Sequence, residues 1–349
     1  MKSILGDDIS VGTHNGVMHA DEVFSIATLL FLNPNIRIVR TRDPDLLKEL
    51  DFRIDVGGKY DPDTGDFDHH QNDFDVRHTS PNSARYERGP KKSGFGLVWE
   101  HYGKSAIKKV VDTAFSPLGH DPIDADGVDM IHETITRTLV APIDAHDNGE
   151  NRLYYLDTGA YRVPSASSYI QALNPTSAEE ALGLQVNAFE DALTYAKKYL
   201  YREILRGYSV HLAKFDILDK VKNLPSDGIL VLDMYLPWSP IFTKHPQETK
   251  AVKMVVFPSS ADESWMFQSP YFNKIADSDR FSPTMKDGTR RRHRYPIPEH
   301  LYGKTGIDLQ ELTNVNDAVF VHGNGFLGAA KSKEGAIAIA KYIINHQDQ

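Results

Sequence analysis

The segment ISVGTHNGVMHADEVFSIATLLFLNPNIRIVRTRDPDLLKELDFRIDVGG, residues 9–58, decides the fold. Ile9 to Thr13 is short and apolar and turns through His14-Asn15-Gly16. From Asp21 to Leu32 apolar residues recur at helical spacing, and Asn33-Pro34 stops the run. Ile36 to Arg40 alternates as a strand does, Asp45 to Leu50 reads as a short helix after Asp43-Pro44, and Phe52 to Val56 is a strand ended by Gly57-Gly58. This order predicts an α/β fold with a parallel sheet flanked by helices on both faces. Ligands of such sheets sit beyond the carboxyl ends of the strands, where the turns at His14 and Asp55 fall.

Outward from this segment, residues 71–93 are polar and rich in turn formers and read as a mobile loop of the kind that forms lids. Gly94 to Tyr102 and Val128 to Ala141 read as helices, and Ala178 to Leu205 as one long amphipathic helix. Beyond it, Gly228 to Asp233, Ala251 to Phe257, Ser264 to Gln268 and Ala318 to His322 are strand-like, and Glu334 to Ile344 is a closing helix. The expected organisation is a catalytic domain over residues 1–176, a connecting helix over 177–210 and a smaller α/β domain over 211–349.

The 349 residues contain no cysteine, so disulfides and thiolate metal sites are excluded. Any metal must use His, Asp or Glu, a donor set that favours Mn²⁺, Mg²⁺ or a His/carboxylate zinc site. No apolar run is long enough to span a membrane, and the opening MKSILGDDIS lacks the pattern of a signal peptide, so the cytoplasm is the expected compartment. The net charge of −9 argues against bulk electrostatic binding of long duplexes, while leaving room for a local basic groove at Arg290 to Arg294. A solvated loop is the plainer reading of that run.

Four segments carry potential chemistry. His14, His19 and Asp21 lie on one turn between a strand and a helix, although Asp21 and Glu22 also suit a helix start. Asp55 closes an apolar strand, where a buried acid is costly unless paired or metal-bound. Asp68 stands beside His69 and His70 and is placed to orient an imidazole. Asp144 and Asp147 stand three apart before Asn148-Gly149, and spacing does not choose between them. Together these groups suffice for two cations, with Asp55 as the bridging acid, which is the equipment of in-line phosphoryl displacement.

At these motifs the chain resembles the DHH phosphoesterase superfamily and, within it, the melanocyte proliferating gene family. The matching stretches are THNGVMHADE (13–22), RTRDPDLL (40–47), IDVGGKYDPDTGDFDHHQ (54–71), IDAHDNG (143–149), LNPTSA (173–178) and FVHGNGFLGAAKSKEGAIAIAK (320–341). The resemblance implies a two-domain DHH-type fold and two divalent cations, Mn²⁺ before Mg²⁺. One cation would take His14, His19 and Asp55, and the other Asp21, Asp55, His69 and Asp144. Asp55, Asp68 and His70 would serve catalysis, with His70 facing the substrate phosphate. It further implies a substrate loop in the second domain, at His322, Gly323, Gly325 and Gly328, to which the basic run adds Arg291 and Arg292.

The resulting expectation is a metal-dependent phosphodiester hydrolase, a 3′→5′ exonuclease on RNA or short oligonucleotides. Two alternatives stand beside it: a phosphatase or pyrophosphatase acting on a small phosphate compound or mononucleotide, and a non-catalytic metal-containing binding protein. Whether the chain forms a homo-oligomer is left open.

Overall fold

The computed structural model describes residues 1–79, 88–150, 164–184, 187–271 and 293–347. The chain divides into two units, Met1–Tyr208 and Ser209–Gln349, with the boundary inside the helix Ala188–Lys222.

In the first unit β1 (Ser10–Thr13), β2 (Arg37–Arg40), β3 (Phe52–Ile54), β4 (Tyr60–Asp61) and β5 (Asp66–Phe67) form a sheet of order β2-β1-β3-β5-β4. β2, β1, β3 and β5 are parallel, with Val11 opposite Ile38 and Phe52, and Ile54 opposite Phe67. β4 adds an antiparallel edge. Side chains alternate across the sheet as the pleat requires. Val11, Ile38, Phe52 and Ile54 join α1 (Ala20–Leu32) and α3 (Gly94–Phe115) in the main core, while Val39 meets Leu47 and Leu50, carried by and just beyond α2 (Pro44–Lys48), on the other face. The chain leaves β1 for β2 on one side and returns to β3 on the other, so a switch point lies between β1 and β3. The turns bearing His14, Asp55 and His69 follow the carboxyl ends of β1, β3 and β5, the same edge of the sheet.

α4 (Ala125–Ile135) continues through a π-helical turn at Thr136–Val140 into α5 (Ala141–Asp147). The irregularity sits where Pro142 has no N–H for a regular helical ladder. α5 delivers Asp144 and Asp147 to the same edge.

The second unit holds β6 (Ile229–Val231), β7 (Met254–Pro258), β8 (Trp265–Gln268), β9 (Ala318–Val321) and β10 (Leu327–Ala330) in the order β6-β7-β8-β10-β9. β6 and β7 are parallel and the other pairs antiparallel. Helix Lys333–Asn345 packs on one face through Ile339 and Ile343, and Trp238 and Phe242 cover the other. No helix of the described residues is long and apolar enough to cross a membrane.

Three elements differ from the sequence expectation. β3 stops at Ile54, because Asp55 takes φ 55°, the left-handed region that ends a strand. The single helix expected over Ala178 to Leu205 is two, Ser177–Ala181 and Ala188–Lys222. Leu182 and Gly183 close the first with N–H groups donated back to Ala178 and Glu180, and Gly183 is left-handed, as at many helix ends. The glycine-rich turn after β9 leads into a further strand, β10, and the two form a hairpin.

Candidate metal centre

Each turn at the sheet edge is held by side chains from outside it. Arg40 donates to the carbonyls of His14 (3.2 Å) and Gly16 (2.8 Å), and Arg42 to Asn15. Asn174 pairs with both backbone groups of Met18. Glu22 accepts the His19 N–H through both carboxylate oxygens, at 2.9 and 3.0 Å.

Within this frame the donors converge. Three groups have ligand atoms lying within 4.8 Å of one another: His14, His19, Glu22 and Asp55; Asp55, His69 and His70; and His19, Asp21 and Asp147. Asp55 belongs to two of the groups, with Oδ2 at 3.3 Å from His14 Nε2 and Oδ1 at 3.2 Å from His69 Nε2. His69 Nε2 is also 3.1 Å from Asp147 Oδ2.

The electrostatics of this cluster are set by burial and by the close approach of its charges. Asp21 and Glu22 are fully buried and Asp55 nearly so. Burial, then the charges of Asp55 and Asp147, drive the Asp21 carboxyl well above the carboxylate range. Burial pushes Glu22 up to about 8 against the pull of His14. Burial also opposes ionisation of Asp55, but His14 and His69 reverse it and hold that carboxyl below its usual value. For His69, burial disfavours the imidazolium, yet the close carboxylates of Asp147 and Asp55 raise it to about 10. His14 is raised too, burial being outweighed by Asp55 and Glu22.

Fit to a metal can be tested on the unsatisfied atoms. His14 Nε2, Asp21 Oδ1, Asp55 Oδ1 and His69 Nε2 are buried without an aligned hydrogen-bond partner. Each such group costs roughly 1–3 kcal/mol when left unpaired. All four are lone-pair donors in a Cys-free nitrogen and oxygen set, which divalent cations satisfy. Two helix N-termini add to the fit. Asp21 and Glu22 stand in the first turn of α1, and Asp21 Oδ2 accepts the Gly94 N–H at the start of α3 (3.1 Å).

Asp144, expected as a ligand, is placed differently. Its oxygens are taken by Ser93 Oγ (2.7 Å), Gly96 N–H (3.1 Å) and His78 Nε2 (2.6 Å). A Cβ at Gly96 would stand 1.9 Å from Asp144 Oδ2, so α3 reaches this carboxylate only through glycine. Burial still raises the Asp144 carboxyl against the pull of His78. Asp144 ties α3 and the His78 segment to α5, and the carboxylate beside His19, Asp21 and His69 is Asp147, one helical turn on. The two should therefore separate on mutation. Asp147→Asn should weaken Mn²⁺ binding in a calorimetric titration while lowering the melting temperature of the metal-free protein less than Asp144→Asn does. Asp144→Asn should cost about 1–3 kcal/mol of stability, the scale for disrupting a buried hydrogen-bonded group. The reverse pattern would return the ligand role to Asp144.

Asp68 orients His70 rather than His69: Asp68 Oδ1 is 2.7 Å from His70 Nδ1, and Oδ2 accepts the Gly58 N–H at 2.6 Å. The His70 side chain is 62% exposed against 7% for His69. The pair thus splits into an inward and an outward imidazole.

In the second unit the expected substrate loop is the β9–β10 hairpin. His322 N–H donates to Leu327 O (2.9 Å) and Gly325 N–H to His322 O (2.8 Å). Gly325 has φ 61°, and a Cβ there would meet Tyr302 at 2.0 Å. Gly328 is paired within β10, opposite Phe267 and Val321. These two glycines are thus required by the hairpin's own packing, whereas a Cβ at Gly323 would stand in open space. Arg291 and Arg292 lie outside the described residues, as does the tip of the 71–93 loop, 80–87. Arg294 is buried, donating to Thr249 O at 2.6 Å, so this member of the basic run serves the fold.

Sequence reasoning passed over Glu22, His78 and Asn174. Glu22 had a signal: an acid three residues after His19, at the head of a helix whose next seven residues are all buried. His78 had none, being one histidine in a polar loop.

An α/β sheet with a His/Asp cluster beyond three parallel strand ends defines the class, a metal-dependent phosphoesterase. Residues 10–344 match the family described as "Uncharacterised protein family (UPF0160)", the MYG1 exonuclease family, and the chain belongs to it. The MYG1 protein of Schizosaccharomyces pombe is 28% identical over 351 residues, covering 97% of this chain and 98% of its own. The protein of Mus musculus named MYG1 exonuclease is 26% identical, covering 95% of this chain and 83% of its own. Among solved structures, exonuclease RecJ bound to manganese aligns over 96% of this chain and 89% of its own at 14% identity and a TM-score of 0.26, too distant to argue from.

Proposed function

We propose that this chain is a 3′→5′ exonuclease acting on RNA or short oligonucleotides with two divalent cations, Mn²⁺ in preference to Mg²⁺. The observation that carries the reading is Asp55: a buried acid in a left-handed conformation, shared between two donor groups whose other members arrive from separate strands. A left-handed non-glycine residue is a local cost that persists where the surroundings demand it. The naming of mammalian relatives as exonucleases supports the substrate class.

His14, His19, Glu22 and Asp55 would hold one cation, and Asp21, Asp55, His69 and Asp147 the other. Bound there, the cations would lower the pKa of a water and screen the charge of the phosphate. The protein's own contribution is placement. Asp55 keeps the two sites at a fixed spacing. Asp68 holds the Nδ1 proton of His70, leaving Nε2 for the phosphate or the departing oxygen.

The test is metal-loaded protein with end-labelled RNA, DNA and dinucleotides, read over time. A ladder shortening one nucleotide at a time from the 3′ end is expected. Internal cuts, or phosphate released only from mononucleotides or pyrophosphate, would move the protein to another class of phosphoesterase.

Metal binding should also depend on pH. The folded-state pKa of His69 is raised from 6.5 to about 10, so its imidazolium stabilises the metal-free fold fully below about 6.5. That stabilisation is lost as pH rises through about 10. A cation must displace the same proton, so Mn²⁺ affinity should climb with pH across this window and binding should release protons. Calorimetry in buffers of different ionisation enthalpy measures both. An affinity flat from pH 6.5 to 9 would remove His69 from the ligand set.

A further inference from the structure

We propose that Asn174 is a positioning residue for the metal centre, acting through the backbone of Met18 on His19. The inference rests on the metal-dependent reading above, and it concerns a residue 156 positions from the turn it holds.

His19 occurs in two of the three donor groups, yet its side chain is exposed. Its described ring contact is with His14, itself a donor, at 5.3 Å between centroids, and it stands at the N-cap of α1. A ligand without packing of its own must be aimed by its backbone. Asn174 supplies that aim. Its Oδ1 accepts the Met18 N–H at 2.7 Å and its Nδ2 donates to the Met18 carbonyl at 3.0 Å, so one amide takes both hydrogen-bonding groups of the residue before His19. The next N–H, that of His19, goes to Glu22. The Met18 side chain is buried in the core, which fixes the same residue from the other side.

Asn174 is itself rigidly placed. Helix Ala166–Ala172 anchors Ile170 in the core, and Asn174 N–H donates to Gln171 O. Pro175 follows, and Thr176 caps the next helix in a capping box with Glu179. Arg40 braces the earlier half of the turn from the carbonyls of His14 and Gly16, and its guanidinium lies 4.5 Å from the Phe189 ring. The segment after residue 164 thereby forms a backstop for a turn made near the start of the chain.

The experiment is a double-mutant cycle on Mn²⁺ affinity, read by calorimetry on the full chain. Asn174→Ala should weaken binding by about tenfold, the lower end for residues that orient metal ligands. In a His19→Ala background the same change should cost nothing further, because its effect passes through His19. Asn174→Asp has the same size and keeps the acceptor for the Met18 N–H, and it replaces Asn174→Ala in the cycle if the alanine variant does not fold. An unchanged affinity with only a lower melting temperature would make Asn174 a structural residue and overturn the inference. So would losses that add in the double variant, or a wild-type chain that binds no divalent cation. Wild-type protein that binds Mn²⁺ yet cleaves no phosphodiester would sink the nuclease reading, while the binding cycle would still decide this one.

Discussion

Asp55→Ala should abolish phosphodiester hydrolysis, by roughly 10³-fold or more, the scale for losing preorganised charge stabilisation at a reacting phosphate. The carboxylate stands between His14 at 3.3 Å and His69 at 3.2 Å, and among the described residues no other occurs in both of those histidines' donor groups. Its removal should also reduce metal content from two equivalents toward one or none. Folding is a separate matter. Alanine at φ 55° costs about 1–2 kcal/mol, whereas asparagine visits this region more readily. Asp55→Asn is therefore the cleaner variant: it keeps the shape and the left-handed turn, and loses the charge. Both variants should be inactive, and the asparagine form should melt closer to wild type than the alanine form when metal-free. A normal rate in either would dismantle the two-cation arrangement.

His70→Ala should lower turnover by about 10²-fold or more, the scale of a positioned acid or charge stabiliser, while leaving metal bound. Two features of the site separate it from its neighbour. His69 is buried between Asp55 and Asp147. His70 is exposed, and its Nδ1 is engaged by Asp68 at 2.7 Å. The two rings lie 4.3 Å apart and share a donor group with Asp55, but they differ in exposure and in the carboxylate each engages. Metal analysis by mass spectrometry together with single-turnover rates reads both quantities. His69→Ala should lose metal and activity together, and Asp68→Asn should show a milder form of the His70→Ala defect, since it loosens the ring without removing it. Metal content falling equally in the two histidine variants would reverse their roles.

Much of the first unit was legible in residues 9–71. Apolar periodicity switches between two and 3.6 there, and the switches mark β1, α1, β2, α2 and β3 within a few residues of where they lie. Strand β10 was not legible, because Gly328 and the small residues after it give no strand signal until Phe267 and Val321 lie opposite. The break between Ser177–Ala181 and Ala188–Lys222 was hidden for a related reason. Amphipathic spacing continues across it, and Gly183 carries the interruption through its conformation alone.

By itself the sequence pointed to the turns that carry the candidate donors, since an acid or histidine at the end of an apolar strand is a local pattern set by near neighbours. His14 and Asp55 follow from that pattern, and His69 from its place beside Asp68 and His70. Only the tertiary structure showed how the two acids of α5 are engaged. Asp144 and Asp147 share one helix, but Ser93, Gly96 and His78, 48 to 66 residues away, occupy the first. Asp147 is left facing His69 and Asp21. Asn174 gained its role in the same way, from a hydrogen-bonded pair closed across 156 residues. Hydrogen-bond capacity is consumed by whatever packs nearby, and spacing along the chain does not record what will pack there.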